Sequence, residues 1–276
     1  MRKLLRANFS RLKKDKAFLF SCFMMFLAGL FFPVFHYVDN LKNGAGWTAD
    51  SSVFVYTYLA PVLLSLVCAL FVGCEYSDGT MRNKLIAGHR RYLIYLSQLI
   101  VCSVAGGLLC VAYLVPHICL GLPLLGGFVA APGELLLRAA LTLALIVAFS
   151  ALFVAVAMLC RNRAYSTAAC ILLVFVLLFV GIRITAALSE PEYYSGYSYT
   201  ENGITISEEE TRNPNYPHGA KREIYEFLNA FLPGGQMIRL ANTSAELSLT
   251  LALYNGVILL AASGIGLVLF RRKDLK

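Results

Sequence analysis

Residues able to do chemistry are few in this chain, and those inside apolar runs stand near the ends of the runs. Glu134 and Arg138 are four apart, so a helix would bring them together as a local ion pair. Arg183 stands five residues before the end of its run at 164–188, where its long side chain can snorkel to a membrane interface or meet an anionic cargo group. His36 and His117 have no H-E-x-x-H or similar spacing around them, so metal ligation is not indicated. No carboxylate sits at mid-run, where a proton- or ion-driven transporter needs a group that charges and discharges. The chain also has no G-x-S-x-G elbow, no facing carboxylates within a run and no G-x-x-x-x-G-K-[ST] phosphate loop. These patterns give it neither a catalytic centre nor a nucleotide site of its own.

The most informative candidates are polar and clustered in the segment 75–91. Gly79 and Gly88 bracket the unit Thr80-Met81-Arg82-Asn83-Lys84-Leu85-Ile86, and Glu75, Arg90 and Arg91 flank it. Glycine turns the backbone sharply, and Thr80 can cap the helix that follows. A short helix lying along the membrane would present Arg82, Asn83 and Lys84 to a cytoplasmic partner. Plain electrostatic anchoring of a loop would need the basic residues but not the glycines.

The elements that position this segment are apolar. Of the 276 residues 58% are hydrophobic and 14% charged, and the mean hydropathy is +0.67. A soluble core cannot hide that share, whereas a bilayer is crossed by roughly 20 successive apolar residues. Six runs qualify, at about 17–38, 53–74, 93–115, 135–160, 164–188 and 247–270. The first lacks a small-residue cleavage site and reads as a retained span. The third continues apolar past Pro116, so 116–132 reads as a short outer hairpin or a re-entrant piece. Only Arg161-Asn162-Arg163 separates the fourth and fifth, which makes them antiparallel neighbours. Thr243-Ser244-Ala245-Glu246 has capping-box spacing before the last. The eight cysteines all lie in or beside apolar segments without a CxxC pair, which argues against both a disulfide-stapled outer domain and a zinc site.

The net charge of +8 is sorted by side rather than gathered into a nucleic-acid patch. Seventeen of the 24 Lys and Arg residues fall in 1–16, 75–91, 161–163 and 271–276, whereas twelve of the sixteen acids fall on the other side. Basic residues are retained in the cytoplasm, so both termini are expected there. The expected fold is therefore all-α: a single polytopic permease-like domain with six transmembrane helices and additional elements at either face. In 1–16, Leu5, Phe9 and Leu12 share one helical face, as in a helix lying in the headgroup plane, although a floppy basic leader remains the alternative. In the outer segment 189–246, a stretch with Tyr193, Tyr194, Tyr197, Tyr199 and Glu208-Glu209-Glu210 could be a membrane-boundary belt or a cargo contact. After it, 221–232 is amphipathic through Ile224, Phe227, Leu228 and Phe231, and Pro233-Gly234-Gly235 would stop that helix.

Glu75, Gly79-Thr80, Arg82-Asn83-Lys84-Leu85, Gly88 and Arg90 or Arg91 stand in an order that resembles the permease subunits of type 2 ABC transporters (the ABC-2 family). The resemblance is nearest to bacterial antibiotic- and bacteriocin-resistance exporters. The basic leading helix, the six spans, the segment ending Phe231-Leu232-Pro233-Gly234-Gly235-Gln236 and the Arg-Arg-Lys-Asp tail are similar as well, while Gly88-His89 replaces a Pro often found there. The resemblance implies that 75–91 carries a coupling helix seated in a groove of a separate ATPase, with Glu75, Gly79, Thr80, Arg82, Asn83, Lys84, Gly88, Arg90 and Arg91 at that interface. It implies no cofactor in this chain, with ATP and Mg bound by two ATPase copies. It further implies a second permease copy or homologue, membrane lipids but no nucleic acid as partners, and a bacterial cell membrane. The function expected is an exporter permease for an amphipathic peptide, drug or lipid-like cargo, with Arg183, Glu134 and Arg138 as candidates along the path. The competing readings are a scaffold or sensor that recruits a cytoplasmic partner and, less well supported, a membrane-embedded enzyme.

Overall fold

A computed structural model describes residues 1–160, 162–194, 198–201, 204–207, 210–243, 245 and 247–272. Among them the chain forms, in order, helices α1 (Arg2–Leu12), α2 (Lys16–Asn43), α3 (Asp50–Val53), α4 (Tyr56–Ser77), α5 (Thr80–Ile86), α6 (Arg91–Leu125), α7 (Pro132–Leu159) and α8 (Arg163–Ser189). Strands β1 (Tyr193–Tyr194), β2 (Ser198–Glu201), β3 (Ile204–Ser207) and β4 (Thr211–Arg212) follow, then α9 (Ala220–Phe231), α10 (Pro233–Ala241) and α11 (Thr250–Arg272). Six segments are long and apolar enough to cross a membrane: α2, α3 with α4, α6, α7, α8 and α11. The protein is an all-α, multi-pass membrane protein.

The helices begin and end where local chemistry directs. The Asp15 carboxylate accepts the Phe18 amide at 2.9 Å and caps α2, and Asn162 Oδ1 accepts the Ala164 amide at 2.8 Å and caps α8. Arg161, in the same turn, lies outside the described residues. Of the expected capping box before the last span, Ser244 and Glu246 lie outside the described residues; at the start of α11, Ser248 Oγ accepts the Thr250 amide at 3.2 Å.

The third span departs from expectation. Helix α6 continues through Pro116 and Pro123 to Leu125, so only 126–131 connect it to α7. Pro116 is buried, and Gly29 of α2 leaves it room: a Cβ there would stand 2.8 Å from Pro116 Cγ. A packed neighbour of this kind lets a membrane helix keep a proline that would break a solvated one. At 35 residues α6 is about 50 Å long, more than the hydrocarbon thickness of about 30 Å.

The densest packing surrounds α4, α6 and α7, with α2 along α6 and α11 along α7. One face of the bundle gathers α1, α5 and the adjoining ends of α4, α6, α7 and α11. There the Tyr76 hydroxyl donates to the Met158 carbonyl at 2.7 Å, and Arg91 Nη1 donates to the Phe270 carbonyl at 3.0 Å. This is where the basic residues lie, and it is called the basic face below.

The opposite face carries the described parts of 189–246. β1 pairs with β4 and β2 with β3, both antiparallel. Asn213 is fully buried beneath β1 and β4, donating to Glu190 and the Pro191 carbonyl and accepting from Tyr194 Oη and the Asn215 amide. The segment's Tyr197, Glu208 and Glu209 lie outside the described residues. Pro233-Gly234-Gly235 ends α9 as expected but also opens a second helix, with Pro233 at the first position of α10, where a proline is well suited. α10 lies directly on α8, so a Cβ at Gly234 would collide with the Leu177 carbonyl. Buried Gln236 accepts from Asn255 of α11 at 2.8 Å, and the Thr57 hydroxyl of α4 donates to the Met237 carbonyl at 3.1 Å.

Candidate functional site

At the basic face α4 gives way to α5 through Asp78 and Gly79. Gly79 has φ +66°, in the left-handed region that glycine adopts without strain. Thr80 does not cap α5; its hydroxyl donates back to the Glu75 carbonyl at 3.2 Å, fastening the turn to the end of α4. α5 ends at Gly88, φ +81°, with the Gly88 amide on the Leu85 carbonyl (2.9 Å) and the His89 amide on the Lys84 carbonyl (3.2 Å). This pair of bonds is the Schellman arrangement, in which glycine closes a helix.

The helix is thereby fixed in rotation. Met81 turns inward and is buried, while Arg82 and Asn83 are exposed and Ile86 is 73% exposed. Lys84, expected alongside Arg82 and Asn83, points the other way. It donates to Glu75 Oε1 and, at 3.0 Å, to Asn8 Oδ1 of α1. Burial pulls the Lys84 ammonium below its usual pKa, and Glu75 pulls against that effect.

Glu75 itself is wholly buried, so it holds α5 instead of meeting a partner directly. Arg11 Nη1 reaches the same carboxylate oxygen as Lys84. The other terminal nitrogen of Arg11 bonds the Phe71 carbonyl, and its guanidinium lies 3.8 Å from the Phe71 ring centroid. A buried carboxylate requires such compensation, since an isolated charge is expelled by the low dielectric. Asn8 extends the network by donating to Ser97 Oγ at 3.1 Å, which donates to the Ile94 carbonyl at 2.8 Å. Four helices, α1, α4, α5 and α6, thus meet in one polar junction.

α1 is correspondingly more than a surface float. Leu4, Asn8 and Leu12 are its buried residues, while Leu5 and Phe9, expected on the apolar face, are half-buried. Asn8, Phe71 and Ser97 join the site without being among its sequence-based candidates. The available signal for Asn8 was its spacing, four residues from both Leu4 and Leu12.

The remaining candidates separate. Arg90 and Arg91 leave α5 and meet α11, with Arg91 donating to the Phe270 and Arg271 carbonyls at 3.0 Å each. Glu134 and Arg138 do pair, at 2.9 Å, and Arg138 is wholly buried. Its terminal nitrogens also donate to the carbonyls of Arg239, Leu240, Asn242, Thr243 and Ala245, gathering the end of α10 and the connection toward α11. A guanidinium fork is well suited to gathering the carbonyls of a helix's last turn. Arg183 is exposed on α8. Among the described residues no three of His, Cys, Asp or Glu are gathered as metal ligands.

Six apolar spans, with a short helix held at the basic face by a buried carboxylate, define a polytopic membrane component. The sequence model of the ABC-2 family transporter proteins matches residues 4–181, from α1 into α8, and the chain belongs to that family. Membership makes it a membrane permease component of an ABC transporter and implies an ABC ATPase partner. No curated protein matches the chain.

Proposed function

We propose that this chain is the permease subunit of an ATP-driven exporter, and that α5 is the coupling helix through which the ATPase drives it. The observation that carries this reading is the orientation of α5: Arg82, Asn83 and Ile86 face outward while Lys84 and Glu75 lock the helix to three others. Force applied to the exposed side would pass into α1, α4 and α6 together instead of bending a loose loop.

In this reading two permease copies, identical or homologous, form the path, and each engages one of two ATPase subunits that bind ATP and Mg. The basic face, with both termini, lies in the cytoplasm of a bacterial cell, in keeping with the retention of basic residues on that side. The cargo is an amphipathic peptide, drug or lipid-like molecule. The described mid-span positions hold no carboxylate or basic side chain that would disfavour an apolar substrate, and Arg183 near the outer end of α8 is a contact for an anionic group.

The test is copurification. Arg82→Glu combined with Asn83→Glu, or Ile86→Asp alone, is expected to release the ATPase while the permease stays folded and in the membrane. Retention of the ATPase by both variants overturns α5 as the coupling helix. For the cargo, deletion is expected to sensitise cells to membrane-active peptides, and unchanged sensitivity across a panel overturns the exporter assignment.

A further inference from the structure

On the basic face, away from α5, a cavity of about 590 Å³ opens between the start of α6 and the end of α11. Arg90, Arg91 and Arg271 form its polar wall, and Tyr92, Leu267 and Val268 its apolar floor. Arg91 is spoken for: its guanidinium bonds the last carbonyls of α11 and lies 6.0 Å from the Phe270 ring centroid. That contact holds the two helices at a fixed separation. Arg90 and Arg271 are exposed at the rim.

Among the described residues the charge here is unbalanced: no carboxylate lines the cavity. Arg90 and Arg91 also stand at the start of α6, where the helix dipole favours acidic side chains over basic ones. The floor is equally uncompensated, with Val268 52% and Tyr92 41% exposed. These apolar side chains belong to the ends of two spans, at the depth where acyl chains begin.

We propose that this cavity binds an anionic phospholipid, its phosphate between Arg90 and Arg271 and its proximal acyl carbons against Leu267 and Val268. A free phosphate would satisfy the arginines but leave the floor wet. A neutral lipid would cover the floor but leave the charge unpaired. The anionic lipid alone meets both, and basic clusters beside a span are where such headgroups concentrate. The site has a structural consequence for α11, whose apolar window is only 17% buried within the protein. A lipid bridging α6 and α11 would hold α11 in place from the membrane side.

The experiment uses the full chain purified in mild detergent, with lipid retention followed by native mass spectrometry and thermal unfolding. Phosphatidylglycerol is titrated beside phosphatidylcholine. One phosphatidylglycerol is expected to be retained per chain and to raise the unfolding temperature, with apparent affinity roughly tenfold weaker in Arg90→Gln combined with Arg271→Gln. Val268→Trp, which fills the floor and keeps the arginines, is expected to weaken retention as well, and it decides the matter if the double variant does not fold. Unchanged retention in Val268→Trp, or equal retention of phosphatidylcholine, overturns the proposal. Displacement by millimolar inorganic phosphate overturns it in favour of a free-phosphate site. Loss of the ATPase from the arginine variant with lipid retention intact overturns it in favour of a protein contact.

Discussion

Lys84 of α5 donates to Asn8 of α1 at 3.0 Å across 76 residues of sequence, while its ammonium also engages buried Glu75. A residue in the middle of a basic loop is thus an internal fastener, and its neighbours Arg82 and Asn83 alone face outward from that triplet. The consequences are measurable.

Removing the carboxylate should be the most damaging change at the junction. Glu75→Gln leaves Arg11 and Lys84 facing each other, and loss of one member of a buried pair is strongly destabilising, about 3–5 kcal/mol. The low end is expected because the Arg11 side chain is 34% exposed and can reach water. Lys84→Met should cost less, since Arg11 remains on Glu75. Thermal unfolding of the purified variants gives the order; a Lys84→Met loss equal to or larger than that of Glu75→Gln contradicts it.

The same lysine sets an alkaline pH dependence. Its folded pKa lies below the ordinary 10.5 through burial, so between the two values the unfolded chain holds more protons. Stability should therefore rise with pH as the medium passes through the folded value, and level off near the unfolded one. Lys84→Met lacks this contribution. The difference in unfolding temperature between wild type and Lys84→Met, measured from neutral pH to about 10, should move in favour of wild type; a move the other way refutes the sign.

Arg138 should govern the end of α10 and the connection toward α11. Arg138→Met removes a donor shared by five backbone carbonyls and is expected to speed hydrogen exchange and proteolysis around the end of α10 more than at the basic face. Glu134→Gln should change stability by less than about 1 kcal/mol, because its side chain is 41% exposed and the carbonyls still hold Arg138. Equal effects of the two variants would contradict this division.

The approach of α10 to α8 leaves no room for a side chain. Gly234→Ala is expected to destabilise by about 1–3 kcal/mol through overpacking against the Leu177 carbonyl. Gly133→Ala, near the start of α7 with nothing within 4 Å of its Cβ, should be neutral or slightly stabilising. Thermal unfolding of the pair reads the contrast directly.

What the sequence made legible followed from local rules. Six spans were readable because hydrocarbon thickness sets a minimum run length, and that signal needs no knowledge of neighbours. Pro116 misled for the same reason: a local rule reads proline as a break, while the space left by Gly29 on another helix lets α6 continue. Glu134 and Arg138 were visible as a pair at helical spacing, yet the carbonyls near Asn242 that make Arg138 a hub lie about a hundred residues away. In α5 the glycines announced a bounded helix, but its rotation depends on Glu75 and Asn8. Asn8 in turn looked like an ordinary polar residue of an amphipathic leader.

α1 precedes everything that holds it. The bonds that tie α1 into the junction span 60 to 89 residues of sequence. During synthesis the leading helix must therefore wait, with its amide and guanidinium unmatched, until α4 and α6 have entered the bilayer. A nascent chain halted before Glu75 would lack the carboxylate that holds α1, and only one that has completed α6 at Leu125 offers every partner of the junction. Docking of α1 thus depends on the first half of the bundle being in place.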